Sequence, residues 1–406
     1  MNRELAQSIV SVFRAESAQI VKRDLEHFDE RDWMCTRRWL HTSGLALYLM
    51  DRLMGLKAEA VIPPCLAREL LMNLEENRVR TADLFDEFVR INAELLRSGI
   101  LYANLKGFTL APAACREPAL RYQHDLDFLV ARRDAERCRQ TLMRHGYVQT
   151  LAVGDSWEFS AGAIEVSTMH DLYRVRGQRS VEMHLVPEEE EDRDDGRLSQ
   201  LQLQVWNGFE FPALGECDKL LEQAMHIFHH LQGEWTRTAW LLEYATAIRA
   251  HRDDERLWRQ VAATLAATPR MRIGVGLASL VACRTFGVSL PGALARAVDV
   301  IPPQARLWAC QYERDLVYTE HPGSKLYLLL NDVLLDGSPE WARQRRRRLL
   351  PRRLPEKLIV SKSDSLRIRV EQIRFVLQRL RFHIASGVRY GLEAARWRRF
   401  LAGAKL

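Results

Sequence analysis

Cysteine is sparse and scattered in this chain. The seven cysteines, at 35, 65, 115, 138, 217, 283 and 310, form no Cys-x-x-Cys and no close Cys/His cluster. That spacing argues against a structural zinc site and reads as buried, reduced thiols in a cytoplasmic protein. Long apolar runs are also missing. The most apolar stretch, Ile273 to Cys283, is too short to span a bilayer and stops at Arg284. The start, Met1-Asn2-Arg3-Glu4, leads into a charged amphipathic run without the apolar core of a signal peptide. No base-reading motif and no Ser/His or Cys/His nucleophile arrangement can be defended. What is present is ordinary for a soluble globular protein: 406 residues, 47% hydrophobic and 28% charged, enough for two to three domains.

The informative segment is Arg121-Tyr122-Gln123-His124-Asp125-Leu126-Asp127-Phe128-Leu129-Val130. Its end is apolar and β-prone, and residues i and i+2 of a strand share a face. Asp125 and Asp127 therefore project together, while Leu126 and Phe128 face a core. Like charges this close are costly without a cation between them, and oxygen-only ligands suit Mg²⁺ or Mn²⁺. An isolated Asp-x-Asp is common; the order of pieces around this one adds weight. Gly99 to Leu105 reads as a strand, and Lys106-Gly107 as a turn opening a helix through Ala113. A helix over Asp134 to His145, closed by Gly146, follows the acidic strand. Further strands are expected at Tyr147–Leu151, Trp157–Phe159, Ala163–Val166, Leu172–Val175 and Ser180–Leu185. In the last, Glu182 shares a face with His184, opposite Val181, Met183 and Leu185, and supplies a third acid. His184 itself either faces the pocket with Glu182 or is a satisfied histidine under the sheet, and the second reading is the favoured one.

Leu105-Lys106-Gly107, Arg121, Asp125-Leu126-Asp127-Phe128-Leu129-Val130 and Val181-Glu182-Met183-His184 together resemble the bacterial "uncharacterised nucleotidyltransferase" family of the polymerase-β-type superfamily. Asp32-Trp33, the run ending Leu95 to Ile100, Ala224 to His230 and Trp240 to Tyr244 are similar to its flanking helices, so that residues 30 to 295 are covered. The resemblance implies an α+β fold, a small mixed sheet embedded between helical regions. It implies metal-dependent transfer of a nucleoside monophosphate from a nucleoside triphosphate to an unidentified hydroxyl. Asp125, Asp127 and Glu182 would be the catalytic and metal-holding acids, with Mg²⁺ or Mn²⁺. Lys106, Gly107 and Arg121 would meet the nucleotide phosphates; for Arg121 a salt bridge beside the acids is an equal reading. The superfamily's usual Gly-Ser pair is replaced by Lys106-Gly107, where Gly107 still allows close backbone approach.

Four regions are expected: a helical 1–97 without evident chemistry, the nucleotidyltransferase-like core at 98–197, a helical domain at 198–340, and a basic tail at 341–406. Seven acids in eight residues, Glu188 to Asp195, read as a solvated loop. His226, His229 and His230 have helical spacing that would suit a metal, but no acid or cysteine completes a set. Residues 343–406 hold nineteen Lys or Arg against four acids, a net +15, so 1–342 carry −9 of the chain's +6. The leading reading of the tail is a helix that packs Ile368, Phe375, Leu377 and Leu380 on the body and solvates its arginines. An anionic membrane surface comes next and nucleic acid last. Two alternatives to the transferase stand: an inactive nucleotide-binding or scaffold protein of the same fold, and a binding protein acting through this tail.

Overall fold

Strand and helix periodicities meet along one face of a seven-stranded sheet. The computed structural model describes residues 1–162, 172–175, 177–186, 196–335, 338–349 and 366–403. The chain forms two compact units, 1–66 with 224–406, and 67–223. The second contains β1 (Tyr102–Leu105), β2 (Asp125–Val130), β3 (Val148–Val153), β4 (Ser156–Ala161), β5 (Arg179–Leu185), β6 (Gln202–Trp206) and β7 (Phe209–Ala213). Their order is β3-β4-β5-β2-β1-β7-β6. β2 runs parallel to β5 and β1 to β7, with the other pairs antiparallel, so the sheet is mixed and the fold α+β.

Residues 67–97 of α5 (Pro64–Arg97) and α6 (Ala135–Arg144) cover one face of this sheet. Leu84, Phe88, Ile91 and Leu95 recur every three or four residues on α5, which makes one apolar stripe. Against it lie the period-two residues Leu126, Phe128 and Val130 of β2 and Val181, Met183 and Leu185 of β5. Each fully buried side chain of this size contributes about 1.5–3 kcal/mol. A polar junction fixes the helix over the sheet. Asn92 Oδ1 accepts from Tyr102 Oη at 2.8 Å and Asn104 Nδ2 at 2.7 Å, and Asn104 also donates to Pro212 O at 2.8 Å. Among the described residues the opposite face carries a small apolar cluster that includes Ala103, Leu129, Leu198 and Leu214, and the acids lie on that same side of the sheet.

The first unit is helical. It contains α1 (Arg3–Val12), α2 (Ala18–Leu25), α3 (Glu30–Thr42) and α4 (Ala46–Leu56), and resumes within α7 (Glu216–Leu231). It continues through α8 (Thr238–Ala250), α9 (Glu255–Ala267), α10 (Pro269–Phe286), α11 (Gly292–Asp299), α12 (Pro303–Val317), α13 (Tyr327–Leu334), α14 (Pro339–Leu349) and α15 (Leu366–Gly403). Asn2, Ser17, Asp29 and Asp254 cap their helices through side-chain acceptors, and Pro269 and Pro303 open theirs, where a missing N–H costs nothing. The apolar stretch around Ile273 to Cys283 is the buried middle of α10, apolar on most of its circumference because helices pack around it. No helix among the described residues is long and apolar enough to cross a membrane.

Several expectations fail for local reasons. The helix after Lys106 is one 3-10 turn, Gly107–Leu110, because Ala111 before Pro112 is held extended. Leu172 to Val175 form a turn, not a strand. The β6–β7 hairpin falls where helices were expected; its apolar Leu203 and Val205 face solvent, 72% and 57% exposed, which hides the usual pattern. Cysteines 35, 65 and 310 are exposed rather than buried. Ala163–Val166 and the acidic run Glu188–Asp195 lie outside the described residues.

Candidate active site

The acidic face begins at the turn after β1. Lys106 has φ 49° and Gly107 φ 48°, so two consecutive residues occupy the left-handed half of backbone space. Glycine is favoured at the second position, because a side chain there would be strained by the positive φ and would displace Gln123. A Cβ on Gly107 would lie 2.4 Å from Gln123 Nε2, and Gln123 donates at 3.0 Å to the Asp125 carbonyl. The turn thus packs directly on the segment that leads into β2. Lys106 adopts a conformation costly for a side-chain-bearing residue, about 1–3 kcal/mol. Its ammonium reaches Asp127 Oδ1 at 2.7 Å.

Register explains the rest. β2 and β5 run parallel with Asp127 beside Glu182 and Leu129 beside His184. The period-two reading holds on both strands, since Leu126, Phe128, Val181 and Met183 are in the core on the other side. His184 Nε2 lies 3.4 Å from Asp127 Oδ1 and 3.6 Å from Glu182 Oε1. The expectation of a histidine under the sheet is therefore overturned: two residues from Glu182, it must share the acid's face. Ligand atoms of Asp127, Glu182 and His184 all fall within 4.8 Å of one another, a set suited to one metal ion. Asp125 is on the same face but is not part of that group. Ser156 Oγ donates to Glu182 Oε1 at 2.8 Å and fixes that carboxylate.

Electrostatics separate the two aspartates. Burial disfavours the charge of Asp127, yet the Lys106 ammonium and the His184 imidazole outweigh it and hold the carboxyl well below its usual range. Burial, and then the charge of Asp127, push Asp125 up to about 6 against the pull of Lys106 and Arg121. Burial alone would lower Lys106; Asp127, then Glu182 and Asp125, hold it above its ordinary value. Of the residues expected to gather, Lys106, Asp127 and Glu182 do so directly. Asp125 and Arg121 act through the shared field, and Gly107 shapes the turn.

The sequence reading missed what aims β2. Asn77 Nδ2, on α5, donates to Ala119 O at 2.6 Å and to Arg121 O at 2.8 Å. Arg80, one turn on and 8% exposed, donates to Gln123 O at 2.6 Å and Leu172 O at 2.7 Å, with its guanidinium 4.8 Å from the Tyr122 ring centroid. These two side chains clamp the approach to Asp125 from a helix that had shown no chemistry. His226 and His230 instead pack against Trp240, edge-on and tilted, with centroids 4.5 and 4.2 Å away, and belong to no metal-competent group among the described residues.

The mixed sheet thus presents an acid–histidine set beside a Lys-Gly turn. Residues 29–286 match the model of the uncharacterised nucleotidyltransferase family, and the chain belongs to that family. Among solved structures it is similar to an antigenic nucleotidyltransferase-like protein from Paracoccidioides brasiliensis, at 14% identity and a TM-score of 0.29. That match covers 49% of this chain and 91% of the other. Comparison with curated proteins finds no match.

Proposed function

We propose that the acidic face transfers a nucleoside monophosphate from a nucleoside triphosphate to a hydroxyl acceptor, releasing pyrophosphate. The observation that carries this is the convergence of Asp127, Glu182 and His184 donor atoms within 4.8 Å, in a chain of this family. These three residues fit one divalent ion. Bound there, it would neutralise phosphate charge and orient the α-phosphoryl group. Two carboxylates with one imidazole suit Mn²⁺ at least as well as Mg²⁺, because nitrogen donors favour transition metals. Lys106 supplies a fixed positive charge at the rim of the acids, and Gly107 lets the backbone approach a phosphate. Arg121 contributes to the same field. The acceptor oxygen forms a bond to the α-phosphorus as the bond to the bridging oxygen breaks, and pyrophosphate leaves. The hydroxyl proton passes to Asp125, the acid of this face outside the three-ligand group.

Incubation with each α-labelled triphosphate, Mn²⁺ or Mg²⁺ and cell extract tests this reading. Label should move to an acceptor with release of pyrophosphate, and neither should occur with Asp125→Asn. A second reading has its own observation. Lys106 already neutralises Asp127 at 2.7 Å, the charge a metal would otherwise supply, which favours a nucleotide-binding scaffold without transfer chemistry. Triphosphate binding without pyrophosphate release under all these conditions would select it.

A further inference from the structure

α15 carries two apolar faces, and among the described residues only one is packed. Phe382, Ser386, Tyr390, Ala394 and Trp397, spaced by three or four residues, are at most 9% exposed. That side is fastened within the helical unit. Ser386 Oγ accepts from the Lys325 amide at 2.8 Å, Arg379 pairs with Glu234 at 3.2 Å, and Arg389 pairs with Asp315 at 2.7 Å. The stripe expected to pack on the body is not this one, since Leu377 and Leu380 are 58% and 49% exposed. They lie in a second row, Ile373, Leu377, Leu380, Ile384, Val388 and Leu392, each between 49% and 62% exposed. At 1.5 Å per residue the row runs for about 28 Å. Arg374, Arg381, Arg396 and Arg399 are exposed along the same helix.

We propose that this outer face of α15 docks onto an anionic lipid surface, lying in the plane of the headgroups. The proposal is independent of the transferase reading. Charge selects the occupant. The helix has nine arginines against two glutamates, and the arginines paired with Asp315 and Glu234 are on or near its packed side. A second copy seated on the row would bring like charges together, whereas phosphate headgroups complement them. A phosphate backbone would use the arginines but gives no reason to leave six aliphatic side chains in water. A lipid surface takes both, apolar row into the acyl boundary and guanidinium groups among the headgroups.

The test is co-sedimentation of the full chain with vesicles of phosphatidylcholine alone or mixed with phosphatidylglycerol. Binding should be at least about tenfold stronger to the anionic vesicles and weaken with salt. The triple variant Leu377→Gln, Leu380→Gln, Ile384→Gln should lose at least about tenfold in partitioning. Its melting temperature should be unchanged, because all three side chains already face solvent. Arg374→Gln with Arg381→Gln should weaken binding to anionic vesicles selectively. Wild-type protein remaining in the supernatant with both vesicle types overturns the proposal. So does light scattering that shows a dimer made monomeric by the triple substitution, or tight oligonucleotide binding with no vesicle binding.

Discussion

Replacing Arg80 with alanine should loosen β2 from its approach without touching an acid. The side chain is buried and gives its two terminal nitrogens to the carbonyls of Leu172 and Gln123, at 2.7 and 2.6 Å. Truncation strands both acceptors, at about 1–3 kcal/mol each. It also removes the guanidinium from over Tyr122, worth about 0.5–2 kcal/mol. Water entering the gap recovers part of this, so we expect a loss of about 3–5 kcal/mol in local stability. Arg80→Lys should cost roughly half, because one ammonium keeps the charge but cannot span both carbonyls in a fixed fork. Hydrogen exchange read by mass spectrometry localises the effect. Amides of Leu126 to Val130 should exchange faster in Arg80→Ala, while those of α10 in the other unit should not change. Equal exchange across β2 in wild type and Arg80→Ala would refute the clamp.

Asp125→Asn should raise the denaturation midpoint of metal-free protein at pH 8 but hardly at pH 4. The folded-state carboxyl is pushed up to about 6, so its ionisation destabilises the fold as pH rises from the unfolded value near 4, and the amide removes that penalty. A midpoint lowered at pH 8 would contradict this. Thiol labelling at pH 8 should modify Cys35 and Cys310 quickly and Cys65 more slowly, since the Glu30 carboxylate accepts its S–H and raises its pKa. Cys138, buried and pushed up to about 12 by burial, should label only in denaturant. Gly107→Ala should unfold or misplace the turn, because φ is positive and Gln123 fills the space; unchanged stability and triphosphate binding would count against the turn's role. Asn92→Leu should destabilise by about 2–4 kcal/mol in chemical denaturation, since Tyr102 and Asn104 lose their common acceptor.

The acidic strands were legible because their code is local. Alternation over Asp125–Val130 and Val181–Leu185 sets which side chains share a face, whatever lies elsewhere. The same rule put His184 beside Glu182, and only a preference for buried histidines argued otherwise. Asn77 and Arg80 could not be read, because their partners are 42 or more positions away and a polar residue on an amphipathic helix looks like a solvated one. The hairpin was marked chiefly by Asn207-Gly208, both at positive φ, since Leu203 and Val205 of its first strand point outward. On α15 two rows of aliphatic and aromatic residues compete for one packing face, and pattern alone does not say which wins.

Titration with Mn²⁺, with the free ion followed by electron paramagnetic resonance, tests the acid–histidine set most directly. The wild-type chain should bind one ion at this face, and Asp127→Asn, Glu182→Gln or His184→Asn should each weaken it by about tenfold or more. Undiminished binding in all three variants, or none in the wild type, would contradict a metal centre at this site.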